Sequence, residues 1–191
     1  MSDGFRFFVG FVAAAVLIAI VERACAARNE RRLRREGAEE IAPWVFGLMV
    51  PVYSLVFAGA VVESARLERR PPAALTIAMV GLFCAAKGLK LWAILHLRSA
   101  WTMRVFVPRS LRVVVSGPYR FLRHPNYVAV MGEIVALPIA GGAYLTAFLG
   151  AVLFALILAV RIRSEEAALM SRPEYASLMA GRRRFLPGRG R

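Results

Sequence analysis

The sequence predicts an all-α integral membrane protein of about five transmembrane helices, with a C-terminal amphipathic helix and cofactor-binding segments gathered on the cytoplasmic face. Three observations carry that expectation. Of 191 residues, 59% are hydrophobic and the mean hydropathy is +0.57, more apolar than a soluble domain of this length. Five apolar stretches, at 5–26, 44–62, 73–97, 125–140 and 144–161, come close to the roughly 20 residues a crossing needs. Finally, the net charge of +14, from 26 basic and 12 acidic residues, is concentrated in particular connections. A nucleic-acid binder of this charge would not spend its residues on greasy runs, so the charge belongs to a membrane context.

The first stretch resembles a cleaved leader, but its apolar core is long, its basic cluster follows it, and "ERACAARNERR" is a poor cleavage site, so it reads as a span. The 27–43 connection is compatible with a helix, a lid or a plain basic loop. Spans four and five are separated only by "AGGAY" and predict a tight helical hairpin. With five spans, the 27–43 and 98–124 connections and the tail share one face and carry eighteen arginines, against four on the other face. The positive-inside rule then puts the N-terminus outside and the tail in the cytoplasm, as in a prokaryotic inner membrane. The chain divides into three N-terminal transmembrane helices (1–97) and a C-terminal cofactor-binding region (98–191) that includes the hairpin 125–161.

Cys25 and Cys84 are far apart in sequence, each in an apolar run. A disulfide framework or thiolate metal site would need more thiols at closer spacing, so both read as small buried residues and no metal site is expected. In "LRSAWTMRVFVP" the alternation over 101–107 suggests a short extended segment at the membrane surface. Trp101 reads first as an interfacial anchor, and second as a border of the lipid cavity.

The polar island "SGPYRFLRHPNYV" at 116–128 precedes span four. Gly117-Pro118 makes a turn, and Pro125 suits the first turn of a helix whose open N–H groups attract polar or anionic ligand groups. A structural reading, with tyrosine anchors and positive-inside arginines, has equal standing for the island alone. The second cluster, "RIRSEEAAL", shifts the balance. Ser164 can cap an amphipathic helix beginning with Glu165 and Glu166, and the hairpin returns that pair beside His124 and Tyr127. Within the spans, Lys87 and Lys90 share a helical face and Glu133 lies about two turns into span four. Charges at such depth need partners, so Glu133 is expected to pair with Lys87 or Lys90 at the wall of a substrate cavity, unless Lys90 snorkels to the headgroups.

"GPYRFLRHPNY", a short hairpin, "RIRSEEAAL", "PEY" and "RRRFLPG", in that order over Trp101 to Pro187, resemble the isoprenylcysteine carboxyl methyltransferase family of membrane enzymes. The "HPNY" form, Pro108, Glu133 and the "RI..EE" ending are most similar to bacterial members thought to methylate alkylpyrones or phenolic lipids. The resemblance implies S-adenosylmethionine bound at the cytoplasmic side by Tyr119, Arg123, His124, Pro125, Tyr127, Glu165 and Glu166, with Tyr175 and Pro187 closing the C-terminal segment over it.

The expected activity is O-methylation of a lipidic acceptor drawn from the bilayer, first an alkylpyrone or alkylresorcinol and second an isoprenylated cysteine, with no nucleic-acid partner. Arg123 and Glu133 are the catalytic candidates, and Lys87, Lys90 and Trp101 line the substrate cavity. Arg123 offers a planar fork for an anionic acceptor, while His124 reads as a cofactor contact or helix cap. Two alternatives remain: an NADPH-dependent membrane reductase, with Arg120 and Arg182 to Arg184 on a 2′-phosphate, and a lipid-binding scaffold.

Overall fold

The structure, a computed structural model, describes residues 3–69, 71–110 and 112–185. Pro187 lies outside the described residues. The order of elements is α1 (Asp3–Arg35), β1 (Glu39–Ile41), α2 (Pro43–Leu67), α3 (Ala73–Leu97), β2 (Val105–Val107), α4 (Pro125–Ala140), α5 (Tyr144–Met170) and α6 (Pro173–Met179). α1, α2, α3 and α5 are long and apolar enough to cross a membrane, and α4 is a shorter apolar helix. Leu17, Leu55, Ile77, Phe148 and Leu156 point outward and exposed. An apolar outer surface on long helices with internally satisfied backbones is what the bilayer demands of an integral membrane protein.

α3 packs along α4, α2 along α5, and α4 against α5. Their shared core includes Phe57, Phe83, Ile134, Leu137, Phe154 and Leu158. The α2–α5 approach is close because Gly150 has no side chain: a Cβ there would fall 2.5 Å from a Val56 methyl. α4 and α5 form the expected hairpin through Gly141, Gly142 and Ala143. α4 runs for 16 residues, about 24 Å, so it reaches only part of the membrane depth, while nine of its residues are buried.

Several local expectations are corrected. α1 continues about two and a half turns past residue 26, so most of the 27–43 connection is helix, followed by a strand that pairs antiparallel with β2 (Glu39 opposite Val107, Ile41 opposite Val105). The extended segment expected at 101–107 contains that β2 strand. Ser164 caps nothing: α5 runs unbroken to Met170, and the Ser164 hydroxyl donates back to the Val160 carbonyl, an arrangement open to serine within a helix. The separate C-terminal helix is instead α6. Cys25 and Cys84 are exposed rather than buried, because an apolar position on a membrane helix can face lipid as readily as core. Trp101, read as an interfacial anchor, is 2% exposed. It sits inside, between two cavities.

Candidate functional site

The hairpin and the segment before α4 build the site together. Gly117 has a positive φ of 59°, and a Cβ there would lie 2.5 Å from the His96 ring. Glycine therefore allows the Gly117–Arg120 turn to lie against the end of α3. That turn buries Tyr119 and leads to His124, after which Pro125 opens α4. Because α4 and α5 are antiparallel and joined tightly, Glu165 and Glu166 near the far end of α5 come level with His124 and Tyr127.

Glu166 is a tether. Its carboxylate accepts from Arg123 Nη1 at 3.1 Å and Arg184 Nη2 at 2.5 Å, and meets His124 Nε2 at 2.9 Å. The tail is fixed further by its backbone: Arg183 and Arg184 carbonyls accept from the N–H groups of Arg123 and His124 at 3.0 and 3.2 Å. Arg123 Nε donates to the Arg182 carbonyl at 2.6 Å, and Arg182 donates to the Tyr119 carbonyl.

Glu165 points the other way. It accepts from the Tyr127 hydroxyl, which in turn accepts from Arg161 Nε at 2.7 Å. Arg161 is 5% exposed, and its Nη2 donates to the Met103 carbonyl at 2.6 Å. Its remaining arm, Nη1, meets the Met49 thioether among the described residues, at 3.5 Å, and sulfur is a weak acceptor.

Two cavities flank these residues. A polar chamber of about 540 Å³ is lined by Tyr119, Arg123, His124, Pro125, Tyr127, Glu165 and Tyr175. Burial and the charge of Glu165 raise the Tyr119 hydroxyl above its ordinary value and push Tyr175 up to about 12, so both stay neutral phenols near pH 7. An apolar cavity of about 850 Å³ lies deeper, between α1, α2, α4 and α5. Trp101, Asn126, Tyr127 and Arg161 line both. On that shared wall, Trp101 Nε1 and Asn126 Oδ1 are buried with no hydrogen-bond partner among the described residues, an unfavourable state that a bound polar group can relieve.

Beside the apolar cavity is a buried cluster of charges. Glu133, fully buried, contacts Lys87 Nζ at 3.1 Å and Lys90 Nζ at 3.4 Å, and accepts from the Tyr53 hydroxyl at 2.6 Å. Glu22 of α1 takes the same lysines at 3.0 and 2.7 Å. Lys90, Glu22 and Tyr53 line the cavity, whereas Lys87 and Glu133 stand behind them.

The geometry redistributes the sequence-derived set. Tyr119, Arg123, His124, Pro125, Tyr127 and Glu165 meet at one chamber, while Glu166 does not line it and holds the tail. Arg123 is taken up by Glu166 and Arg182 and stays off the apolar cavity. Of the four residues that line both cavities, Arg161 is the one that carries a charge, and sequence reasoning passed over it as the last residue of a span; Glu22, near the end of span one, escaped notice in the same way. An ionisable residue near a span end is ordinarily credited to the interface, and only its helical neighbours, Tyr127 and the lysines, show otherwise.

Comparison with known proteins fits this arrangement. Residues 79–171, containing α4 with most of α3 and all of α5, match the isoprenylcysteine carboxyl methyltransferase family. The Bacillus subtilis protein YpbQ is 29% identical over 158 residues, covering 81% of this chain and 94% of that protein. A Haemophilus influenzae protein is 27% identical over 143 residues, covering 74% and 83%. The nickel-cobalt-cadmium resistance protein NccN of Alcaligenes xylosoxydans is 35% identical over 105 residues but shares only 45% of its own length.

Proposed function

We propose, from the match of residues 79–171 to the isoprenylcysteine carboxyl methyltransferase family of membrane methyltransferases, that this protein is an S-adenosylmethionine-dependent O-methyltransferase acting on a lipidic acceptor. The observation that carries the reading is the shared wall: a polar chamber and an apolar cavity meet at Trp101, Asn126, Tyr127 and Arg161. A water-soluble donor and a lipid acceptor need two such compartments with one point of contact.

The polar chamber suits the donor. Its volume is within the range of small-molecule sites, Tyr119 and Tyr175 offer aromatic faces to a purine, and Glu165 offers a carboxylate to ribose hydroxyls or an ammonium group. When bound, S-adenosylmethionine supplies an activated methyl on a sulfonium. Transfer to oxygen is an in-line displacement, so the chain's task is alignment in a dry site. Tyr127, fixed between Glu165 and Arg161, positions the wall. Arg161 orients the acceptor: its Nη1, which among the described residues meets a thioether, turns to an anionic oxygen, a far better acceptor. A carboxylate or an acidic enol is already ionised near neutral pH and needs no strong general base at this site, whereas the phenol of an alkylresorcinol first gives its proton to solvent, a loss that the neighbouring Arg161 charge favours.

For the acceptor, an alkylpyrone or alkylresorcinol is the first reading and an isoprenylated cysteine the second. Relatives in Bacillus subtilis and Haemophilus influenzae that match over most of their length support a bacterial lipid. In keeping with the charge asymmetry, the polar chamber faces the cytoplasm of a prokaryotic inner membrane, with the N-terminus outside.

Titration of the detergent-purified protein with S-adenosylhomocysteine and with NADP tests the reading. Binding of the first, weakened in Glu165→Gln, is expected. Binding of NADP alone would overturn the proposal in favour of a reductase.

A further inference from the structure

Arg23 of α1 lines the apolar cavity, and its charge is only partly matched. Nη2 is fixed on the Glu30 carboxylate at 3.1 Å, and Cζ lies over the Phe46 ring, 5.4 Å from its centroid. Nη1 is buried and has no hydrogen-bond partner among the described residues. Lys90, another cation on this cavity, sits instead between two carboxylates, Glu22 at 2.7 Å and Glu133 at 3.4 Å. A desolvated guanidinium arm without an acceptor is unfavourable. Its neighbours offer little remedy: Phe46 has no side-chain acceptor, and Glu30 also takes the Met103 and Arg104 N–H groups at 3.2 and 3.3 Å.

Two independent sets of contacts bring Arg23 alongside Arg161. The Met103 carbonyl accepts from Arg161 Nη2 at 2.6 Å, and the Met103 N–H donates to Glu30, the carboxylate that holds Arg23. On α2, Phe46 under Arg23 and Met49 beside Arg161 Nη1 are three residues apart, neighbours on one helix face. Both guanidinium groups therefore border the same end of the cavity. They differ in reach, because Arg161 also lines the polar chamber and Arg23 does not. Trp101 Nε1, a second buried donor with no partner among the described residues, belongs to a residue of that same end. Arg161 itself has one arm to offer, since Nε and Nη2 are held by Tyr127 and Met103.

Resting on the proposed function, we infer that Arg23 is a specificity-determining residue that binds a second, unreacting oxygen of the acceptor head, so that the site selects a ring with oxygens on alternate carbons over a ring with one. Arg161, on the shared wall, takes the oxygen that is methylated. Arg23, set back from the polar chamber, takes the other through Nη1, and Trp101 Nε1 adds a neutral donor at the same end. The Arg23 side chain is 39% exposed against 4% for Glu30, so its guanidinium has room to turn on that carboxylate toward a bound head. An alkylresorcinol or hydroxypyrone carries two oxygens so placed. A carboxylate carries both on one carbon and suits the double fork of a single arginine, which Arg161 does not present.

Binding of a tritiated long-chain 5-alkylresorcinol and of the 3-alkylphenol with the same chain, measured by scintillation proximity on the full-length protein in detergent, tests this. The ratio of the two Kd values gives the preference for the second oxygen, and comparing that ratio between variant and parent cancels partition into the micelle. Arg23→Met is expected to lower the preference roughly tenfold or more, as for loss of one charge-assisted hydrogen bond. Arg23→Lys should lower it similarly while keeping a cation for Glu30, because an ammonium is a point charge without a second arm; it decides the matter if Arg23→Met does not fold. Arg28→Met, at an exposed position of the same helix outside the cavity, is expected to leave the preference unchanged. An intact preference in the Arg23 variants, even with a lowered melting temperature, would reduce Arg23 to an anchor for Glu30 and overturn the inference. Equal losses in Arg23→Met and Arg28→Met, or no binding of either lipid by the parent, would overturn it as well. S-adenosylhomocysteine binding on the same samples separates the two ideas: its absence would sink the methyltransferase reading, whereas the lipid ratio alone decides the role of Arg23.

Discussion

Arg161 on α5 donates from Nε to the Tyr127 hydroxyl on α4, over 2.7 Å. Through Tyr127 it is coupled to Glu165, so one chain of hydrogen bonds runs from the polar chamber to the apolar cavity. In Arg161→Lys the charge stays but the planar fork is lost, and lysine cannot hold the Tyr127 hydroxyl, the Met103 carbonyl and an acceptor oxygen together. We expect turnover to drop by about 10²-fold, typical for loss of one preorganised donor. S-adenosylhomocysteine affinity, followed by calorimetry, should change little. An equal loss in both would make Arg161 part of the donor site.

Adjacent glutamates separate just as cleanly. Glu166 holds Arg123, His124 and Arg184 together, whereas Glu165 faces the chamber. Removing a carboxylate from a partly buried cluster of cations costs on the order of 3 kcal/mol. Glu166→Gln should therefore lower the melting temperature in detergent and expose the tail to trypsin near Arg182–Arg184. Glu165→Gln should leave the tail protected while weakening S-adenosylhomocysteine binding. Identical behaviour of the two variants would contradict this division.

The reach of the sequence follows from which interactions have a linear signature. The spans, the 140–144 hairpin and the approach of "RHPNY" to "SEE" were legible, because apolar run length and a short turn together fix antiparallel neighbours. So was the conjunction of Lys87 and Lys90 with Glu133, since each lies deep in a span where a charge demands a partner. Glu22 and Arg161 were not. Each sits within a turn or so of a predicted span end, where a charge has a cheap alternative in the headgroups. Nor did sequence distinguish Glu165 from Glu166: residues 100° apart on a helix point to different neighbours, and which direction holds the chamber depends on the tail. The α1 extension was hidden because its polar turns carry no apolar period, being held by Asn29 and Arg32 on the carbonyls of residues 98, 99 and 101.

Four charges in the interior depend on one another. Glu133→Gln leaves Lys87 and Lys90 to share the Glu22 carboxylate among the described residues. Breaking one partner of a buried pair costs about 3–5 kcal/mol, because a desolvated charge remains. Thermal unfolding in detergent should show a clear drop for Glu133→Gln and substantial recovery in Glu133→Gln/Lys87→Met, where one cation is removed as well. A double variant no more stable than the single one would show that the cluster is not charge-coupled.

The two-stranded ribbon of β1 and β2 supplies a pH-dependent contribution of known sign. Glu40 on β1 accepts from Arg34 Nη2 and Arg104 Nη1, both at 2.5 Å. Burial by itself would raise its carboxyl, but the hydrogen bonds and charges of Arg104 and Arg34 outweigh that and hold it below the ordinary 4.5. A group with a depressed folded-state value binds fewer protons in the native state than in the unfolded state between the two values. Its stabilisation is complete above pH 4.5 and is lost as pH falls from there through the folded value, while both arginines stay charged. The melting temperature of the parent protein should therefore exceed that of Glu40→Gln near neutral pH by a constant margin. That margin should narrow only below about pH 4.5. A gap that persists unchanged into acid would mean that the margin does not come from the Glu40 ion pairs.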